Sequence, residues 1–133
     1  MKVLEISSSL KEELIDITPH IENFVEKEGV ENGICIIYTP HTTSGIMINE
    51  NADPDVKRDI LMMLNRLVPE GIPYSHTEGN SPAHIKSAVI GNSRIVPIHK
   101  GKLCLGTWEG IFLCEFDGPR RRKVYIEILR SKS

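Results

Sequence analysis

The sequence has no apolar run near the roughly 18 consecutive residues that a membrane-spanning helix needs, which argues against a membrane protein. It has no surplus of one charge either. Sixteen Lys and Arg stand against 18 Asp and Glu, a formal net charge of −2, so nothing points to general polyanion or nucleic-acid binding. The single basic run, Arg120-Arg121-Arg122-Lys123, does not make a DNA-binding protein. The amino terminus, Met-Lys-Val-Leu-Glu-Ile, is too short in apolar run and too acidic for a signal peptide. Cysteine is scarce: Cys35, Cys104 and Cys114 are odd in number, form no close pair and lie in apolar stretches. There a free thiol behaves as a small hydrophobe, and a reducing cytoplasm is the simple reading. Internal repeats, low-complexity tracts and Ser/Gly linkers are also missing, so the 133 residues read as one domain, 1–133.

What is present is a chain with 40% hydrophobic and 26% charged residues, enough to bury a core without staples. Val3 and Glu5 alternate with Leu4 and Ile6 in a first strand. Thr18 reads as an N-cap and Pro19 as the first residue of a helix whose buried stripe is Ile21, Phe24 and Val25, with Gly29 as its stop. The run Gly33–Tyr38 reads as a strand covered on both faces, and Ile46 to Asn49 as the next strand. Asp53-Pro54 opens the clearest helix, with Val56, Ile60, Met63, Leu64 and Leu67 as its stripe and Pro69 as its end. A long loop spans 69–83. Ser81-Pro82 can start a short helix through Val89, although the spacing of Ile85, Val89 and Ile90 also permits a strand. Four strands follow, Arg94–Ile98, Lys102–Leu105, Ile111–Phe116 and Val124–Leu129, separated by glycines. The expected fold is α+β, a mainly antiparallel β-sandwich or flattened barrel with two or three packed helices.

The polar residues fall in unusual places. Pro40-His41-Thr42-Thr43-Ser44-Gly45 joins two apolar strands, and Asn49-Glu50-Asn51-Ala52-Asp53 ends the second. The later loop adds His76, Glu78, Gly79, Asn80 and His84. A lone histidine is usually solvated or hydrogen-bonded, and His20 and His99 belong to that class. His41, His76 and His84 have amides and carboxylates beside them and are candidate ligands for a divalent metal, Zn or Mg. Asp53 is explained by helix capping alone, whereas Asn49 and Glu50 have less structural reason to be there. Glu115 follows Ile111 and Leu113 on one strand face, so it pairs with a cation or works with a shifted pKa. Arg120 and Arg121 are the nearest candidate partners in sequence. Gly79-Asn80-Ser81 and Gly101-Lys102 suggest an anion site with Lys100, Lys102 and the Arg120–Arg122 run, though no P-loop or dinucleotide motif is present.

Taken in order, several segments resemble the YjbQ family, labelled secondary thiamine-phosphate synthase. They are Pro40-His41-Thr42-Thr43, Asn49-Glu50 with Asp53, Gly79-Asn80 with Ala83-His84, Gly106-Thr107-Trp108, and Asp117-Gly118-Pro119-Arg120. The chain departs from the pattern at Glu109, where the family usually has Gln, and at Glu78, where it often has Asp. The resemblance implies a β-rich, jelly-roll-like sandwich, a homotrimer, and a pocket from the His41, His76 and His84 segments. It also implies the joining of a hydroxymethylpyrimidine diphosphate to a thiazole phosphate with release of pyrophosphate.

On this reading His41, Thr42, Thr43, Asn49, Glu50 and Asp53 are the candidate catalytic residues. Gly79, Asn80, Lys102 and Arg120 are the candidates for binding a small phosphorylated ligand, and His41, His76 and His84 for metal. A histidine cluster suits Zn²⁺ better than Mg²⁺. The alternatives are a zinc hydrolase and a non-catalytic trimeric module that binds a small anion.

Overall fold

Residues 1–132 are described by the computed structural model. Strands β1 (Lys2–Ser7) and β2 (Glu13–Asp16) precede helix α1 (Thr18–Glu28). Strands β3 (Gly33–Tyr38) and β4 (Ser44–Glu50) then lead into α2 (Pro54–Leu67) and α3 (Ser81–Ile90). Strands β5 (Ser93–His99), β6 (Lys102–Leu103), β7 (Glu109–Glu115) and β8 (Arg121–Arg130) complete the chain. They form a five-stranded sheet, ordered β1-β8-β3-β5-β6, and a three-stranded sheet, ordered β2-β7-β4. Every pairing is antiparallel, and the fold is the α+β class expected.

Strand alternation sorts the core into two layers. On β7, Ile111 and Leu113 face Ile37, Val96, Val124 and Ile126 of the larger sheet, with Ile46 of β4 beside them. The intervening Phe112, Cys114 and Phe116 face outward and are covered by Leu64 of α2 and Ala83 of α3. Burying side chains of this size contributes about 1.5–3 kcal/mol each relative to leaving them in water. Cys35 and Cys114 are buried, and burial pushes their thiols up to about 11 and about 12. Cys104 is exposed, contrary to the expectation that all the cysteines pack as apolar residues.

The helices follow their sequence signals, with two differences. In α1, Ile17 occupies the cap position and Thr18 is already helical. Thr18 Oγ1 instead donates to Asp16 Oδ1 at 2.6 Å and accepts from Ile111 N–H at 2.8 Å, which ties the helix start to β7. In α2, Leu64 is buried and Ile60 and Leu61 pack against the outer core, while Met63 and Leu67 point to solvent. The stripe is rotated because the helix must cover Phe112 and Phe116 as well as Met47. The Ser81-Pro82 segment is a helix rather than a strand, with Asn80 at the cap position but no side-chain bond to the first turn. Lys86, nearly fully buried, pins that helix by donating to Glu12 Oε2 at 2.8 Å and Asn65 Oδ1 at 2.5 Å.

On β3, Cys35 and Ile37 are buried, but Ile34 and Ile36 are half-buried and Tyr38 is exposed. The double covering expected for this strand is therefore not supplied within one chain among the described residues, because α2 and α3 lie on the other sheet.

Asp53 caps α2, its Oδ1 accepting from Asp55 N–H at 2.9 Å. Asp53→Ala is expected to cost about 1 kcal/mol of stability, read as a shifted urea midpoint at unchanged slope.

Candidate functional site

Three segments converge at one end of the sandwich. The β3–β4 loop contributes Pro40, His41, Thr42 and Thr43, and the first turn of α3 contributes Asn80 and His84. The β7–β8 turn and the start of β8 contribute Arg120 and Arg122, and Glu78 stands at the rim. Together they line a cavity of about 360 Å³. An adjoining cavity of about 400 Å³ shares His41, Thr42 and His84 and extends along α3 to Asn92.

The walls are held by hydrogen bonds that begin at Glu115, the last residue of β7. Because β7 alternates, Glu115 falls on the same inward face as Ile111 and Leu113 and is fully buried. Its carboxylate accepts from Arg122 Nε at 2.9 Å and Arg122 Nη2 at 2.5 Å. It also accepts from Ser8 Oγ at 2.7 Å and Asp117 N–H at 3.0 Å. The partner is Arg122, not Arg120 or Arg121. Strand β8 begins inside the basic run, and Arg122 lies on the inward face with Val124 and Ile126.

Arg122 Nη2 reaches further, to Thr43 Oγ1 at 2.8 Å and Thr43 O at 3.2 Å. The next residue, Lys123, donates its backbone N–H to His41 Nε2 at 2.9 Å. Arg120 folds back on Asp117, through Nε to the carbonyl at 2.7 Å and through Nη2 to Oδ2 at 2.8 Å. Asn80 Nδ2 donates to the same Oδ2 at 3.0 Å, which leaves Asn80 Oδ1 buried without a partner. Gly118 lets the turn pass close to the β1–β2 segment. A Cβ there would sit 2.2 Å from Leu10 O and 2.7 Å from Ser8 Oγ.

The field at His41 is cationic. Burial lowers its pKa from the ordinary imidazole value, and the charges of Arg122, Lys123 and Arg120 lower it further against an opposing pull from Glu115. With Nε2 accepting from Lys123, the neutral ring carries its proton on Nδ1 and is a hydrogen-bond donor there. Glu115 is held below the usual carboxylate range: burial acts against this, and the bonds from Arg122, Ser8 and Asp117 N–H outweigh it. The His41 ring is accordingly expected to titrate below about 6.5, with its contribution to stability present above that pH and lost as pH falls through its lowered value. Proton NMR of the ring protons checks this; a midpoint at or above the ordinary value would contradict the geometry.

Of the candidates read from the sequence, His41, Thr42, Thr43, Asn80, His84 and Arg120 come together here. His76 stands beside His84, ring centroids 5.3 Å apart edge to face, on a neighbouring cavity of about 270 Å³. Gly79 supplies the positive-φ turn before α3 (φ 80°). Asn49 and Glu50 end β4, about 17 to 20 Å from Ser44 by strand rise, and bond only to their own backbone neighbourhood. Asp53 is the helix cap. Lys102 lies on β6, where it lines a separate cleft of about 390 Å³ with Lys100 and with Glu22 and Glu26 of α1. His99 Nδ1 pairs with Asn32, and His20 is exposed on α1.

Among the described residues no three His, Cys, Asp or Glu side chains stand close enough to hold a metal ion. His41 Nε2 is already engaged, and the charges of Arg122, Lys123 and Arg120 around it outweigh that of Glu115. The donor set of one chain does not fit a zinc centre. Sequence reading missed Ser8, held Asp117 only as part of the resemblance, and held Arg122 only within the basic run rather than as the partner of Glu115. Arg122 was detectable, since Arg122, Val124 and Ile126 share a face by alternation.

The family described as UPF0047 protein YjbQ-like matches residues 2–131. A UPF0047 protein of Methanocaldococcus jannaschii is 52% identical over 128 residues, covering 96% of this chain and 93% of that one. The UPF0047 protein YugU of Bacillus subtilis is 48% identical over 130 residues, covering 97% and 98%. A crystal structure of an uncharacterised YjbQ/UPF0047 protein from Clostridium acetobutylicum superposes with TM-score 0.95 at 48% identity, over 97% of this chain and 100% of that one. A protein of unknown function from Sulfolobus solfataricus gives 0.94 at 37% identity, over 98% and 96%. The chain belongs to the YjbQ/UPF0047 family.

Proposed function

We propose that the cavity between the His41 loop, the first turn of α3 and the β7–β8 turn binds a small phosphorylated molecule through its phosphate. The observation that carries this reading is the convergence of Arg120, Arg122 and a neutral, donating His41 of the β3–β4 loop beside the first turn of α3. Each of these groups favours an anion. Thr42 and Thr43 line the same cavity.

Within this reading, the reaction to test is the pyrophosphate-releasing transfer that the sequence resemblance implies. The C–O bond of the pyrimidine diphosphate ester breaks, the thiazole nitrogen forms the new C–N bond, and the electron pair leaves with pyrophosphate. The arginines and His41 stabilise charge on that leaving group.

The test is calorimetric titration with pyrophosphate, followed by an assay for thiamine phosphate with both half-substrates and added Mg²⁺. Arg120→Ala is expected to weaken pyrophosphate binding about tenfold, the scale of one lost charge-assisted bond. Equal affinity in wild type and Arg120→Ala would overturn the site. Pyrophosphate binding without product would favour a binding module over a transferase.

The same reading includes a homotrimer. It is supported by the half-exposed Ile34 and Ile36 and the exposed Ile95 on the outer face of the larger sheet. Light scattering giving a monomer mass would remove it.

A further inference from the structure

On the inward face of β7, Ile111 and Leu113 are followed not by a third aliphatic but by a carboxylate with no solvent exposure. A buried ion pair is a poor device for stability alone, because desolvating both charges offsets most of their attraction. What Glu115 does have is a bond path to every wall of the anion cavity. Through Arg122 it fixes the Thr43 hydroxyl and carbonyl, 2.8 and 3.2 Å from Nη2. Through Ser8 Oγ, which accepts from Arg120 N–H at 2.8 Å, it fixes the turn that carries Arg120. Its Oε2 takes Asp117 N–H directly, and Asp117 in turn holds both Arg120 and Asn80. One residue beyond Arg122, Lys123 N–H sets the ring of His41.

We infer that Glu115 is the positioning residue of the phosphate site, aligning Thr43, Arg120 and His41 without touching the ligand. The inference rests on the phosphate reading for its binding test, and on geometry alone for its second test.

Charge and position predict opposite results, which makes the role measurable. Glu115→Gln removes a negative charge from beneath an anion site. If only its charge mattered, pyrophosphate would bind more tightly. As a positioning residue, Glu115→Gln weakens pyrophosphate binding, by about tenfold on the scale of a lost charged hydrogen bond. Ser8→Ala changes no charge, lies outside the cavity lining and removes one link of the path. It is expected to weaken binding by about threefold to tenfold with the protein fully folded.

Amide hydrogen exchange at Lys123 in the ligand-free protein supplies the independent readout, and faster exchange in both variants is expected. Unchanged or tighter pyrophosphate binding in Ser8→Ala, together with unchanged Lys123 exchange, would overturn the inference. If Glu115→Gln fails to fold, Ser8→Ala decides by the same two measurements. If wild-type protein binds no pyrophosphate, the phosphate reading falls, and Lys123 exchange alone decides whether Glu115 orders this end of the sandwich.

Discussion

Glu115→Ala is expected to lower the free energy of unfolding by about 3–5 kcal/mol at neutral pH, measured by urea denaturation. The loss is larger than a single hydrogen bond because it strands a cation. Arg122 is only 3% exposed and would face an apolar interior with Thr43 as its remaining partner. Asp117 N–H would lose its acceptor in the same step, and Ser8 Oγ would keep only the Arg120 carbonyl as acceptor, 3.1 Å away. An apolar replacement of suitable size does not cure this, since it leaves the same donors unpaired. The pH dependence gives a second signature. The Glu115 carboxyl is depressed in the folded protein, so its contribution is complete above about 4.3 and is lost as pH falls through the lowered value. Acid unfolding of wild type should therefore be steep below that pH and shallower in Glu115→Ala. A cost under about 1 kcal/mol would place the pair among weakly contributing ion pairs.

Phe112→Ala is expected to cost about 3–5 kcal/mol, the usual range for removing a fully buried aromatic ring. The ring faces Met47, Leu64, Ala83 and Phe116 beneath α2 and α3, and Lys57 Nζ lies 4.7 Å over its face. Its removal opens a cavity between the helices and the smaller sheet, so α2 amides should lose exchange protection before those of β3 and β8. Leu67→Ala, on a side chain 68% exposed, is the matching control and should stay within about 0.5 kcal/mol of wild type. The pair tests the rotated stripe of α2 directly. If Leu67 cost as much as Phe112, the helix would be turned as its sequence periodicity first suggests.

That stripe shows where local reading stops. Asp53-Pro54 marks the start of α2 because capping is a property of adjacent residues, and the structure bears it out. Which face of α2 is buried depends on Phe112 and Phe116, side chains some fifty residues away in sequence, and periodicity holds no information about them. Strand β2, Glu13–Asp16, escaped notice for a similar reason. Four residues with no clean alternation become a strand only because β7 offers an edge.

At the site, the His41 loop and the Asn80–His84 turn were legible as polar interruptions between apolar elements. Asn49 and Glu50 looked alike in sequence yet end the same strand whose other end carries Ser44 and the loop, so strand length separates them from His41. Lys102 follows a glycine turn suited to an anion, but the β5–β6 hairpin delivers it to α1 instead. Arg122 was hidden inside a run of four basic residues in which alternation, not charge, decides the partner of Glu115.

The proposed phosphate site is the cavity lined by His41, Thr42, Thr43, Asn80, His84 and Arg120. The most direct test is an amide NMR titration of the full chain with pyrophosphate. Shifts concentrated in residues 40–43, 80–84 and 117–123, lost in Arg120→Ala, are the predicted result. Shifts concentrated at Lys100, Gly101 and Lys102, with the His41 loop unmoved, would contradict it and assign the anion to the cleft beside α1.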